Sequence, residues 1–72
     1  MATRVFDIPA TVLSTDGQHS ETFTRGEGVK NVQRIGNRVM FEPVIAHHIA
    51  GTYAMDWSLF KAITTAVRGA KA

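Results

Sequence analysis

Val-Gln-Arg-Ile-Gly-Asn-Arg-Val-Met-Phe, residues 32–41, is the stretch of sequence that decides the fold. Its two apolar-bearing runs flank a Gly-Asn pair, and this arrangement predicts a β-hairpin. Gly36 can adopt the positive φ that a two-residue type II′ or type I′ turn requires, and Asn37 tolerates the left-handed region better than most residues. A turn of this length pairs Ile35 with Arg38 and so fixes the register of both strands.

The predicted register also sorts the side chains of this hairpin between its two faces. It pairs Val32 with Phe41. Val32, Val39 and Phe41 then share one face, which we expect to face the core. Arg34 lies on that same face, whereas Arg38 points the other way. The basic residues of the hairpin therefore do not form a single patch by themselves.

A second hairpin precedes the central one. Apolar residues alternate with polar ones over residues 4–14 and predict a strand, but Pro9 cannot donate to a ladder and indicates an edge strand or a bulge. Asp16-Gly17 is a strong turn signal, and we expect residues 21–25 to return antiparallel with Phe23 facing the core. The turn holds two residues or more, and the sequence leaves its length open.

The last part of the chain carries the strongest helical pattern. Asp56 is a suitable N-cap residue for a helix over residues 56–68, and Arg68 suits its C-terminal end. Large apolar residues recur there at steps of three and four, which gives one apolar face. They are Trp57, Phe60, Ile63 and Val67. Residues 44–50 fit either a short helix or an extended segment.

Together these elements predict an α+β fold for residues 1–72, taken as a single small domain. Two β-hairpins form a four-stranded antiparallel sheet, and the C-terminal amphipathic helix packs on one face of it, with a short helix before it left open. The 72 residues include no cysteine, so no disulfide can stabilise the fold. Its stability depends on one compact core, on oligomerisation or on a partner.

The composition is that of a globular protein, with 44% hydrophobic and 19% charged residues. No apolar run is long enough to span a membrane, and no secretory signal pattern opens the chain. The absence of cysteine fits a reducing compartment, so we expect a cytoplasmic location and no membrane association. Eight Lys and Arg residues against six Asp and Glu give a net charge of +2.

The histidines and hydroxyl residues show no catalytic or metal-binding pattern. His47 and His48 are adjacent, so they point about 100° apart on a helix or to opposite faces of a strand, and one metal ion cannot easily take both. Four polar residues lie close together in the first predicted turn, where such residues are ordinary: Ser14, Asp16, His19 and Ser20. We therefore predict a non-enzymatic protein with no catalytic residue, no cofactor and no metal ligand.

The basic residues are the best candidates for a binding surface. The six candidate binding residues lie around the central hairpin and on the predicted helix: Arg25, Lys30, Arg34, Arg38, Lys61 and Arg68. Nucleic acid is the alternative target, because basic residues neutralise phosphates and aromatic side chains stack on bases. The aromatic candidates for stacking are Phe23, Phe41, Tyr53 and Trp57.

A protein partner is the preferred target. Two hairpins leave strand edges at which another chain can pair, and the sequence has more large apolar residues than one face of the sheet needs. The sequence therefore predicts a small binding module that docks on a partner protein, as a regulatory or inhibitory accessory protein that acts sterically. A homodimer is a second assembly that the same surfaces allow.

Overall fold

The computed structural model describes residues 3–45 and 47–67. In this part of the chain seven strands form one antiparallel sheet, with one short helix before the last strand. In chain order the elements are β1 (Arg4–Phe6), β2 (Ala10–Ser14), β3 (Ser20–Phe23), β4 (Gly28–Ile35), β5 (Arg38–Pro43), β6 (Tyr53–Asp56), α1 (Trp57–Ile63) and β7 (Thr64–Ala66). The order across the sheet is β3-β2-β6-β5-β4-β1-β7, and the sheet curls into a half-barrel.

The predicted α+β architecture is wrong, because the described chain is mostly β. The first predicted strand is divided into β1 and β2, and two strands that the sequence pattern did not indicate, β6 and β7, join the sheet. In place of the predicted helical layer, the described residues form one helix of seven residues. The coarser description, a small antiparallel β-sheet domain, holds.

The division of the first strand explains why the sheet curls. Residues 7–9, which include Pro9, separate β1 from β2. Yet β2 occupies the second position of the sheet and β1 the sixth, with β6, β5 and β4 between them. Strands joined by three residues cannot lie at distant positions of a flat sheet, where neighbours are about 4.8 Å apart. The sheet therefore bends until its second and sixth strands approach each other.

The start of α1 is as predicted. Asp56 is the N-cap, and its side chain accepts a hydrogen bond from the backbone N–H of Leu59 at 3.2 Å. Phe60 is fully buried and Trp57 is half-buried against the core, so these two residues anchor the helix to the sheet. No helix in residues 3–45 and 47–67 is both long enough and apolar enough to cross a membrane.

The end of α1 differs from the prediction, because the helix stops at Ile63 instead of continuing to residue 68. The next residues form β7, which pairs with β1 and satisfies backbone groups along its edge. Thr64 and Thr65 are β-branched and favour a strand over a helix. Arg4 reinforces the junction, since its Nε donates to Thr64 Oγ1 at 2.7 Å.

The central hairpin is confirmed at its turn and corrected further down. Ile35 pairs with Arg38, and Gly36 has a φ of 61°, as the first position of a type II′ turn requires. The register then shifts between Lys30 and Gln33, where Asn31 has a φ of 53°. This bulge inserts one residue into β4, so the predicted pairing at residue 32 does not form.

The first hairpin forms as predicted. The sequence left the length of its turn undecided, and the structure has the longer of the two alternatives. Its strands pair from Ala10 with Phe23 to Leu13 with Ser20, and residues 14–19 enclose the turn. Phe23 is fully buried, as expected. The segment 44–50, for which a helix or an extended segment was left open, contains no helix and no strand among its described residues.

An aromatic cluster fills the inside of the curled sheet. The buried hydrophobic side chains come from β1–β6 and α1. They are Phe6, Val12, Phe23, Val29, Val39, Phe41, Tyr53 and Phe60. Phe6 stacks on Phe23 with ring centroids 5.1 Å apart, and Phe41 stacks on Phe60 at 5.0 Å. Such pairs contribute about 0.5–1.5 kcal/mol each beyond the burial of their area.

Replacing Phe60 tests how far the single helix depends on this cluster. We expect Phe60→Ala to lower the free energy of unfolding by about 3–5 kcal/mol, because it removes a fully buried ring. The neighbouring Leu59 is 53% exposed, so Leu59→Ala should change it by less than about 0.5 kcal/mol. Urea titration followed by tryptophan fluorescence measures both variants. Equal losses in the two would contradict this account of the core.

Candidate functional site

The loop that joins β5 to β6 carries a buried histidine, His48, whose ring lies between the side chains of two glutamates from other parts of the chain. His48 Nδ1 is 2.7 Å from Glu21 Oε1, and His48 Nε2 is 2.7 Å from Glu27 Oε1. The His48 side chain is only 3% exposed. Both ring nitrogens of an imidazole donate hydrogen bonds only when the ring is protonated. The arrangement is therefore that of an imidazolium held between two carboxylates.

Three separate elements position this cluster. Glu21 lies on β3, and Glu27 precedes β4, where its Oε1 also accepts a hydrogen bond from the Thr24 N–H at 3.2 Å. The ring of Phe23 lies against the His48 ring, with centroids 4.6 Å apart. The histidine thus attaches its loop to the first hairpin and to the core at once.

Two further hydrogen bonds hold the same loop. Glu21 Oε2 accepts a hydrogen bond from the Ile49 N–H at 3.3 Å, and the Tyr53 hydroxyl donates to the Ile49 carbonyl at 2.7 Å. Tyr53 is fully buried, and burial raises the pKa of its hydroxyl. The hydroxyl therefore stays protonated and able to donate at neutral pH.

The electrostatics of the cluster favour its charged form. Burial acts to lower the pKa of His48, but the hydrogen bonds to Glu27 and Glu21 outweigh it and raise that pKa above the ordinary value. The hydrogen bond from His48 lowers the pKa of Glu21. Burial acts to raise the pKa of Glu27, but the hydrogen bonds from His48 and Thr24 outweigh it, and that pKa is also lowered.

The second histidine of the pair faces the same glutamate. His47 Nε2 is 3.8 Å from Glu27 Oε2, and the rings of His47 and His48 have centroids 4.4 Å apart. A helical or extended backbone would point the two rings apart, as predicted from the sequence, but the described residues of this segment have neither conformation. One potential ligand atom from each of Glu27, His47 and His48 lies within 4.8 Å of the others.

The polar residues of the first turn bond to the turn and to the core. The Ser14 hydroxyl donates to Asp16 Oδ1 at 2.5 Å, and the Gln18 N–H donates to the same oxygen at 2.9 Å. These bonds, the one from Ser14 first, lower the pKa of Asp16. The His19 ring nitrogen Nε2 lies 3.1 Å from the Tyr53 hydroxyl. Serine and imidazole therefore have different side-chain partners, and they do not form a nucleophile–base pair.

The structure brings some of the predicted basic residues together at the turn of the central hairpin. Arg34 and Arg38 flank this turn, and the guanidinium of Arg34 lies over the Trp57 ring, 5.1 Å from its centroid. The Trp57 N–H donates to the Asn37 carbonyl at 2.8 Å, which places the start of α1 beside the turn. Lys61 is one helical turn beyond Trp57, on the same side of α1.

The other predicted basic residues lie apart from this group. Arg25 precedes β4, whereas the turn follows β4, so a strand of about 25 Å separates them. Lys30 lies opposite the acidic residue Glu42 in the ladder between β4 and β5. Arg68 lies outside the described residues.

Exposed apolar side chains accompany the arginine and tryptophan at the hairpin turn. Ile35 is 57% exposed at the end of β4, and Leu59 is 53% exposed on α1. We call the end of the molecule that carries Arg34, Ile35, Trp57 and Leu59 the tip surface. Arg34 and Trp57 are in contact there, whereas Ile35 follows Arg34 on β4 and points to the opposite face of the sheet. The sequence indicated Arg34 and Trp57 as candidates but not Ile35 and Leu59, because the exposure of an apolar side chain depends on the packing of the folded chain.

Three of the four aromatic candidates for base stacking belong to the core. Phe23, Phe41 and Tyr53 are fully buried, so none of them presents a ring face to solvent. Trp57 is half-buried, and the Arg34 guanidinium lies over its ring. Stacking on bases therefore has little aromatic surface to use in this structure.

Comparison with known proteins adds nothing to this geometry. No protein-family model, no curated protein and no solved structure matches the chain.

The histidine cluster makes stability depend on pH in two directions. The raised pKa of His48 stabilises the fold below about pH 6.5, and this contribution is lost as the pH rises through that raised pKa. The lowered pKa values of Glu21 and Glu27 stabilise it above about pH 4.5, and this contribution is lost on acidification. We expect the urea midpoint, measured in buffer with EDTA, to be highest between these values. If the urea midpoint of a His48→Gln variant still fell as the pH rose above 6.5, His48 could not be the group that causes this loss of stability.

The two adjacent histidines provide a matched pair of variants. His48→Ala leaves two carboxylates facing each other and removes two of the hydrogen bonds that hold the loop. We expect the Tm to fall by at least about 4 °C, which about 1 kcal/mol produces in a domain of this size. The His47 side chain is 66% exposed, and His47→Ala should leave the Tm nearly unchanged. Differential scanning fluorimetry at pH 6 compares the two, and equal effects would refute the proposed role of His48.

Proposed function

We propose that this protein is a non-enzymatic binding module that docks on a partner protein through the tip surface. It acts as a regulatory or inhibitory accessory protein by occupying part of the partner's surface. The observation that carries the proposal is the Arg34 guanidinium stacked over Trp57, with Ile35 exposed beside the same turn and Leu59 exposed in the first turn of α1. Tryptophan and arginine are the residues most enriched among those that dominate binding energy at protein interfaces.

The geometry of the tip surface limits the entropy that binding costs. Arg34 Nε donates to the Gly36 carbonyl at 2.9 Å, so the arginine is already ordered by its own turn. Trp57 is fixed by its backbone hydrogen bond to Asn37 and by packing against the core. Side chains ordered before binding lose less rotamer freedom in the complex, and this supports their role as anchors.

The charges around the tip surface indicate the chemistry of the partner. Arg34 belongs to it, Arg38 lies opposite Ile35 across the turn, and Lys61 follows Trp57 by one helical turn. The nearby Asp56 already accepts the hydrogen bond that caps α1. The partner surface that complements this group is apolar at its centre and carries carboxylates at its rim.

Nucleic acid is the weaker candidate. The buried positions of Phe23, Phe41 and Tyr53 argue against a stacking platform. Two of the basic residues also lie opposite acidic ones in the sheet, since Lys30 pairs with Glu42 and Arg38 with Asp56. A gel-shift titration with duplex DNA at two salt concentrations separates the two targets, because log K falls with log salt by about 0.9 per phosphate contacted. A shift that disappears in Arg34→Ala and Arg38→Ala would favour nucleic acid over protein.

The decisive experiment places a charge at exposed positions of the tip surface. Ile35→Asp and Leu59→Asp add a carboxylate to a surface proposed to meet carboxylates, so we expect each to weaken binding at least tenfold. Ile8 is 50% exposed at the break between β1 and β2, and Ile8→Asp is the matched control with unchanged binding. The wild-type chain and the three variants serve as baits in lysate of the source cells, and the retained protein is then purified for calorimetric titration.

Two outcomes would contradict the proposal. One is an equal loss of binding in Ile8→Asp and Ile35→Asp, since the contact would then lie elsewhere. The other is the absence of any protein retained by the wild-type chain and lost by the tip variants. Sedimentation of the purified chain shows whether a second copy occupies the tip surface, because Leu59→Asp would then convert a dimer to a monomer.

A further inference from the structure

Glu27, His47 and His48 direct three metal-ligating groups toward one another where the loop between β5 and β6 meets the segment before β4. We propose that these three residues bind a divalent first-row transition-metal ion of the Zn²⁺ type, with Glu21 orienting the ring of His48. The site lies on the histidine cluster and uses no residue of the tip surface, so it is independent of the docking proposal.

The distances between the ligand atoms suit a small ion after minor adjustment. Ligands of a tetrahedral zinc site lie about 2.0–2.2 Å from the ion, which places them about 3.3–3.5 Å from one another. His48 Nε2 is 2.7 Å from Glu27 Oε1, and His47 Nε2 is 3.8 Å from Glu27 Oε2. The first separation must widen by about 0.6–0.8 Å and the second must shorten by about 0.3–0.5 Å to reach this range. His47 is 66% exposed, so its ring has room to make the second change.

The partner of the other ring nitrogen of His48 is a second, independent observation. Glu21 Oε1 lies 2.7 Å from His48 Nδ1. Metal-ligating histidines almost always donate their free N–H to a carboxylate, a carbonyl or water, and this bond fixes the tautomer and the ring orientation. The bond from Nδ1–H to Glu21 leaves His48 Nε2 as the atom that faces Glu27 and the ion.

The donor set selects the class of ion. Two imidazole nitrogens and one carboxylate suit Zn²⁺ and its neighbours in the first row, whereas Mg²⁺ prefers a shell of oxygen ligands. Three protein ligands leave one coordination position, and the exposure of His47 opens that position to water. Binding displaces the proton on His48 Nε2 into solvent, so the ion replaces one proton of the cluster.

Calorimetric titration of the tag-free chain with zinc chloride tests the proposal. We expect one ion per chain for the wild type and at least tenfold weaker binding for His47→Ala, because this variant removes one of three ligands from an exposed position. His19→Ala is the control, since His19 is not among the three ligands, and its affinity should match the wild type. Magnesium chloride should give no binding heat. Equal zinc affinity in the wild type and His47→Ala, or equal binding of both metals, would overturn the proposal.

The role of Glu21 as a positioning residue is tested by a second measurement of zinc affinity. Glu21→Gln keeps the shape of Glu21 and weakens its hydrogen bond to His48, so we expect zinc affinity to fall tenfold to a hundredfold. Circular dichroism checks that each variant is folded, and zinc should raise the Tm of the wild type but not that of His47→Ala. A Glu21→Gln variant that is folded and binds zinc as tightly as the wild type would refute the orienting role. Zinc that raised the Tm of both chains equally would refute the site.

Discussion

The structure depends on the three-residue break between β1 and β2. Because these strands are close in the chain but lie at the second and sixth positions of the sheet, the sheet must curl, and its concave side encloses a single core. Phe6, at the end of β1, then contacts rings from β3, β5 and α1. A small chain gains the burial it needs in this way, with one short helix and aromatic side chains in place of a second layer.

Local signals predicted those parts of the fold that depend on neighbouring residues. The Gly36 turn, the burial of Phe23 and the N-cap at Asp56 each follow from a few residues of sequence, and each is confirmed. The helix end and the fold class were missed, because Thr64 starts a strand that pairs with β1, where its partner Phe6 is 58 positions away (64 − 6). Long-range pairing outweighed the helical period there.

The same limit applies to the sites. The sequence selected Arg34 and Arg38 correctly as neighbours of one turn, but it offered no way to place Arg25 about 25 Å from them. The cluster of Glu21, Glu27 and His48 was missed, because no spacing in the sequence links residues that meet only when a loop folds back over a hairpin. The adjacent histidines were the one feature of the sequence that indicated this cluster. Because a helical or extended backbone was assumed there, the sequence did not predict that both rings face Glu27.

The pairing of β1 with β7 has a consequence for how the chain acquires its fold. The first and last strands of the described chain are neighbours, so this pair closes a loop of about 60 residues at a high cost in chain entropy. Sheets dominated by such distant pairings fold slowly compared with helical proteins of equal size. Until residues 64–66 are available, β1 can pair with β4 on one side, but its other edge stays open to another chain.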